Sequence, residues 1–167
     1  NSKYHYLSLY LNLLLKLNIK ILSKNHYLPF NKPNKISIYN DGYCLIHIDK
    51  RWEYFPQYIL SYLKKKILIL SKRQNIVISS NIGGNKVFEF LNNELFNKPN
   101  IEIVKDPNLD DTISLVYYSN SCISSHSGLI VHTAASFNKK IIDIVSIDIF
   151  NELDRWIPYN IVYKRID

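Results

Sequence analysis

Four short stretches of this sequence gather residue types that could line a ligand site. The richest is Ser124-Ser125-His126-Ser127-Gly128, followed after three apolar residues by His132-Thr133-Ala134-Ala135. Ser127 is a good helix N-cap type, and Gly128 lets backbone come close to a ligand. The N–H groups of a helix that starts there have no intrahelical acceptor, so they point outward and favour negative charge. His126 sits in the turn itself, and His132 lies one helical turn beyond Gly128 on the same side. Ala134 and Ala135 allow such a helix to pack tightly on a sheet. An isolated Ser-Gly pair is only a helix start and an isolated histidine is usually a core residue. The coincidence of turn, glycine, small residues and two histidines favours a binding site.

The second stretch is His47-Ile48-Asp49-Lys50-Arg51-Trp52, in which two cations and an indole leave an apolar run together. Lys50 and Arg51 suit a phosphate clamp, or else the loop is solvated with Trp52 anchoring it. The third is Asn81-Ile82-Gly83-Gly84-Asn85. Gly83 and Gly84 permit a close backbone approach, and Asn85 can cap the helix that follows. The fourth, residues 147–156, carries Asp148, Glu152 and Asp154, which face solvent or ribose hydroxyls, and an anchored Arg155-Trp156 pair. There is no Walker-type loop, no nucleophile elbow and no Cys/His set with zinc spacing. Neither a metal nor a cofactor is expected.

These stretches need elements to position them. Leu7, Tyr10, Leu11, Leu14 and Leu17 recur at helical spacing, predicting a helix over residues 4–18. A Pro- and Asn-rich linker covers 25–34, a strand is expected at 36–39, and Asn40-Asp41-Gly42 turns the chain. An alternation follows. Strands are predicted at 43–48, 75–80, 101–104, 121–125 and 140–145, and helices at 56–70, 85–96, 111–119 and 128–137, with Asp110 or Asp111 capping the third. Apolar strand runs alternating with helices predict an α/β fold, a Rossmann-like doubly wound parallel sheet covered on both faces. In such a sheet ligands bind beyond the carboxyl ends of the strands, where all four stretches fall.

The chain has 167 residues, 47% hydrophobic and 21% charged, which suits one domain with a real core. The net charge of +7 comes mostly from lysines scattered among Asn and Ile, so no nucleic-acid partner is expected. Lys64-Lys65-Lys66, the only basic run, is placed near a helix end facing solvent. Cys44 and Cys122 fall in predicted strands and read as buried small hydrophobes, which fits a reducing compartment. No signal peptide is visible, and residues 7–22 are too polar to span a bilayer. The chain lacks Met and opens on Asn1, so it reads as part of a longer protein, with residues 1–40 leading from another domain and 41–167 forming the sheet domain.

Ile113-Ser114-Leu115, Tyr118-Ser119-Asn120, Cys122 to Gly128 and His132 to Ala135, together with Lys50-Arg51-Trp52 at a similar separation, resemble the heptosyltransferase-like glycosyltransferases, glycosyltransferase family nine. The resemblance covers about residues 43–146. It implies the C-terminal, nucleotide-sugar-binding half of a glycosyltransferase B fold, whose N-terminal half would hold the acceptor. Lys50, with Arg51, would hold a diphosphate. Ser125, His126, Ser127 and Gly128 would meet it from the helix start, supported by His132. Gly83, Gly84 and Asn85 would lie near the nucleoside. The implied enzyme is a hexosyl or heptosyl transferase that works without a metal and with inversion. Its partners would be a nucleotide-diphosphate sugar and a glycan or lipid-linked acceptor. Its setting would be cytoplasmic, compatible with a peripheral place at a membrane face. The family carries an acid where this chain has His126, and its catalytic base comes from the other domain, so no base is assigned here. Two other readings stay open: a non-catalytic relative acting as a binding module, and another nucleotide-sugar enzyme such as an epimerase.

Overall fold

The computed structural model describes residues 12–18, 32–37, 39, 42–81, 85–95, 97–145, 157–158 and 162–166. The strands are β1 (Tyr43–Ile48), β2 (Ile76–Ser80), β3 (Ile101–Lys105), β4 (Ser119–Ser124), β5 (Lys140–Ile144) and β6 (Tyr163–Ile166). The helices are α1 (Gln57–Leu70), α2 (Asn85–Leu95), α3 (Leu109–Tyr118) and α4 (Gly128–Ser136), with a short 3-10 helix at Lys50–Tyr54. All strand pairs are parallel, in the order β3-β2-β1-β4-β5-β6. The fold is thus the Rossmann-like doubly wound α/β sheet that the alternating pattern predicts.

Every residue of β1 and β2 is buried, because both faces of these central strands are covered. Successive side chains alternate between two cores. Cys44, Ile46 and Ile48 join Leu60, Ile67 and Leu91 under α1 and α2. Tyr43 and Leu45 join Leu115, Ile130 and Ala134 under α3 and α4. The small Ala134 and Ala135, both buried, bring α4 close to the sheet, as their size suggests. Both cysteines are free and buried.

Several expectations are corrected. Residues 36, 37 and 39 are not in a strand. The Ser37 hydroxyl donates to the Glu102 carboxylate and accepts from Tyr39 N, a local turn that competes with ladder pairing. Helix α3 starts two residues early, capped by Asn108, whose side chain accepts from Asp111 N, so Asp110 and Asp111 lie in the first turn instead. Lys64 is in mid-helix and faces inward: Nζ donates to Phe90 O at 3.1 Å, pairs with Glu94 at 2.8 Å and lies over the Phe90 ring. Lys65 and Lys66 stay exposed. Strand β6 was not anticipated. Its short run with Lys164 and Arg165 suits the sheet edge, where one side needs no partner. The predicted helix at 4–18 is described only at residues 12–16, where it is helical. Residues 147–156 lie outside the described residues.

Among the described residues no helix is long and apolar enough to cross a membrane.

Candidate functional site

Connections run from β1 outward to β2 and β3, then cross back past β1 to β4 and β5. The strand order therefore reverses between β1 and β4, and the crevice at their carboxyl ends is where such sheets bind ligands. The two richest stretches of the sequence leave these two strands.

After β1, Asp49 caps the 3-10 helix. Its carboxylate accepts from Arg51 N at 3.0 Å and from the Arg51 guanidinium at 2.8 Å. Arg51, expected as a free clamp, is thus already paired with an acid of its own loop. Burial pushes the Asp49 carboxyl up, Arg51 opposes that, and the charge of Asp143 adds to the rise. Asp49 and Asp143 therefore feel each other across the switch point. Trp52 is fully buried and donates Nε1–H to His47 O at 2.9 Å, so it is the anchor of this loop. Lys50 stays exposed. It lines a hollow of about 400 Å³ with Asp49, Arg51, Tyr54 and Asn81, within the size range of small-ligand pockets.

After β4, the turn at Ser125 and His126 is built on a residue the sequence reading passed over. Asp143, at the end of β5, is completely buried. Its Oδ1 accepts from Ser124 Oγ at 3.0 Å and from His126 N at 2.5 Å, and its Oδ2 meets His126 Nδ1 at 2.5 Å. An ionised carboxylate only accepts, so Nδ1 carries the proton. His126 adopts φ +50°, the left-handed region that costs an L-residue energy. The Asp143 bonds hold it there. One signal was legible: an acid inside the apolar run Lys140-Ile141-Ile142-Asp143-Ile144 is expensive to bury unless it binds something.

Ser127 occupies the cap position of α4 but its side chain makes no capping bond, contrary to its expected role. The Val131 N–H bonds Ser127 O, whereas the N–H groups of Gly128, Leu129 and Ile130 precede any intrahelical acceptor. Gly128 is exposed, and a Cβ there would meet nothing within 4 Å. Space therefore remains directly over the helix start. His132 lies half-buried in α4. Gly83 and Gly84 fall outside the described residues, and Asn85 begins α2.

His47 is a second missed polar group. It is buried in β1, with Nδ1 at 2.9 Å from Ser79 Oγ on β2. Burial, helped by the nearby Arg51 charge, lowers its pKa to about 4, so it is neutral at physiological pH.

A wider hollow, about 640 Å³, lies at the opposite edge, lined by Gly42, Tyr117, Asn120 and Phe137 among others. The carboxyl edge is the better candidate, because there a helix start, an exposed lysine and the buried His126–Asp143 pair follow the ends of adjacent strands. Among the described residues no three His, Cys, Asp or Glu side chains converge as metal ligands. No family model, curated protein or solved structure matches this chain.

Proposed function

We propose that the crevice between β1 and β4 binds the diphosphate of a nucleotide sugar and that the chain is the donor-binding half of a glycosyltransferase. One observation carries the reading. The strand order reverses between β1 and β4, and the Lys50 loop and the uncapped start of α4 flank that reversal. When the sugar leaves a nucleotide diphosphate, the C–O bond breaks and negative charge grows on the phosphate oxygen. Lys50 Nζ and the N–H groups of Gly128, Leu129 and Ile130 are preorganised donors for that charge. The resemblance of 43–146 to the heptosyltransferase-like family supplies the reaction class: inverting, metal-independent transfer to a glycan or lipid-linked acceptor held by another domain.

Calorimetry with ADP, GDP, CDP and UDP tests the reading. One of them binds, and Lys50→Ala weakens it at least tenfold, which is about 1.4 kcal/mol. Failure of all four to bind sinks the proposal.

One observation favours a second reading, a binding module without transfer: His126 stands where the family carries an acid. A chain that binds a nucleoside diphosphate but, joined to its acceptor domain, never consumes nucleotide sugar belongs to that reading.

A further inference from the structure

We infer that the outer face of α1 docks on the surface of an anionic lipid bilayer, with Tyr58, Tyr62 and Ile69 at the level of the head groups and Lys65, Lys66, Lys72 and Arg73 on lipid phosphates. The inference goes beyond the nucleotide-sugar reading and does not depend on it.

Helix α1 has apolar side chains on two opposite sides. Leu60, Leu63 and Ile67 are buried in the core beneath it. Tyr58, Tyr62, Lys65, Lys66 and Ile69 recur at helical spacing on the other side. There Tyr58 is 71% exposed, Tyr62 58% and Ile69 50%. By the helical period the two tyrosines and the isoleucine form the middle of this stripe, with Lys65 on one flank and Lys66 on the other. Lys72 and Arg73, in the turn that follows the helix, are exposed too. Tyr54, 69% exposed, stands just ahead of the helix and lines the hollow that holds Lys50.

The charge of this region has one sign. Between Glu53 and Glu89 the sequence has no acid and six cations, Lys64, Lys65, Lys66, Lys72, Arg73 and Lys86. Lys64 is paired with Glu94 beneath the face. Among the described residues none of Lys65, Lys66, Lys72 and Arg73 has an ion pair. An aromatic row edged by cations along a convex helix fits a flat anionic surface. Tyrosine sits by preference at the membrane–water boundary, its ring inward and its hydroxyl in water. Lys and Arg lay their stems along apolar surface while the charge reaches a phosphate. The 14 residues of α1 give such a contact a length of about 21 Å. A polynucleotide fits less well: it needs ring faces for stacking, and Lys66 Nζ already lies 4.9 Å from the centre of the Tyr62 ring. Docking along α1 brings Tyr54 and the Lys50 loop close to the head groups.

The test floats the full chain with vesicles of phosphatidylcholine, with or without one-third phosphatidylglycerol. Binding to the charged vesicles is tighter by about twentyfold or more, and it is lost on raising the salt from about 0.05 to 0.5 M. Each cation near an anionic leaflet strengthens binding about fivefold. Lys65→Gln with Lys66→Gln therefore weakens it about twentyfold. Lys140→Gln with Lys164→Gln removes the same charge from β5 and β6 at the far edge of the sheet, and weakens it by about twofold at most. Tyr58→Ser with Tyr62→Ser weakens it about tenfold and leaves the urea midpoint unchanged, since both side chains are exposed. An environment-sensitive dye on Tyr58→Cys shifts to shorter wavelength on charged vesicles, and one on Asp110→Cys in α3 does not. Cys44 and Cys122 are buried and stay unlabelled. Equal affinity for neutral and charged vesicles, no effect of the tyrosine pair, or equal losses from the two lysine pairs overturns the inference. Binding of a single-stranded oligonucleotide that the tyrosine pair weakens, with no binding to vesicles, assigns the face to a polynucleotide and overturns it as well. Nucleoside-diphosphate calorimetry without lipid is read separately, so each of these results leaves nucleotide binding intact.

Discussion

At the residue scale, the candidate site depends on one buried carboxylate that touches no solvent. Asp143 satisfies a hydroxyl, a backbone N–H and an imidazole together, and in return the β4–α4 turn holds a histidine at positive φ. Removing it leaves three buried polar groups without their acceptor, a loss that exceeds that of a single neutral hydrogen bond. Asp143→Ala is expected to lower stability by about 2–4 kcal/mol in denaturant unfolding. A loss under 1 kcal/mol would show that water replaces the carboxylate. Lys64 makes the same point for a cation. Its inward placement is stabilised by Glu94, the Phe90 carbonyl and the Phe90 ring. Nothing in a run of three lysines marks which of them has those partners.

At the scale of elements, two of the helices that start at the carboxyl edge of the sheet are finished differently. Helix α3 is closed by a side-chain cap, Asn108 to Asp111 N at 2.8 Å, while α4 has a serine in place but no cap bond. The capped end has a first-turn donor satisfied by a side chain, and the start of α4 does not. Asn108→Ala is therefore expected to cost about 1 kcal/mol, and Ser127→Ala less than half of that, by thermal unfolding of the two variants side by side. Equal losses would mean that Ser127 does cap α4 in solution. The β1–α1 connection follows a similar logic. Asp49 and Trp52 pin the 3-10 helix from both ends, by hydrogen bonds to Arg51 and to His47 O. Lys50 and Arg51 lie exposed between them, Arg51 paired with Asp49.

At the scale of the whole molecule, the doubly wound sheet buries histidine as well as apolar side chains, and this makes global stability sensitive to acid. His47 titrates near 6.5 when unfolded and at about 4 in the native protein. Between those values the unfolded chain binds a proton that the native chain does not. Stability therefore falls as pH drops from about 6.5 to about 4, by at most roughly 1.4 kcal/mol per unit, and His47 adds no further loss below that window. His47→Gln is expected to flatten this part of the stability–pH curve relative to wild type, measured by urea unfolding at pH 7, 5.5 and 4.5. Curves of equal slope would place the proton-linked loss elsewhere.

The sequence alone determined the class of this fold, because continuous apolar runs such as 43–48 and 76–80, spaced by amphipathic stretches, bury only as strands between two helical layers. It also marked the carboxyl edge, since Lys50 and the Ser127-Gly128 helix start both follow strand-like runs. Local chemistry sufficed for these, as hydrophobic period and helix-start residues act over a few positions. What only the tertiary structure decided is which side chains meet. Asp143 lies 17 residues from His126, and His47 lies 32 from Ser79. The pairing of parallel strands fixes those contacts, and no local pattern encodes them. The same holds for strand order: the sequence lists the strands, but the reversal between β1 and β4 comes from how the two cores divide among four helices. That reversal sets the Lys50 loop beside the His126 turn.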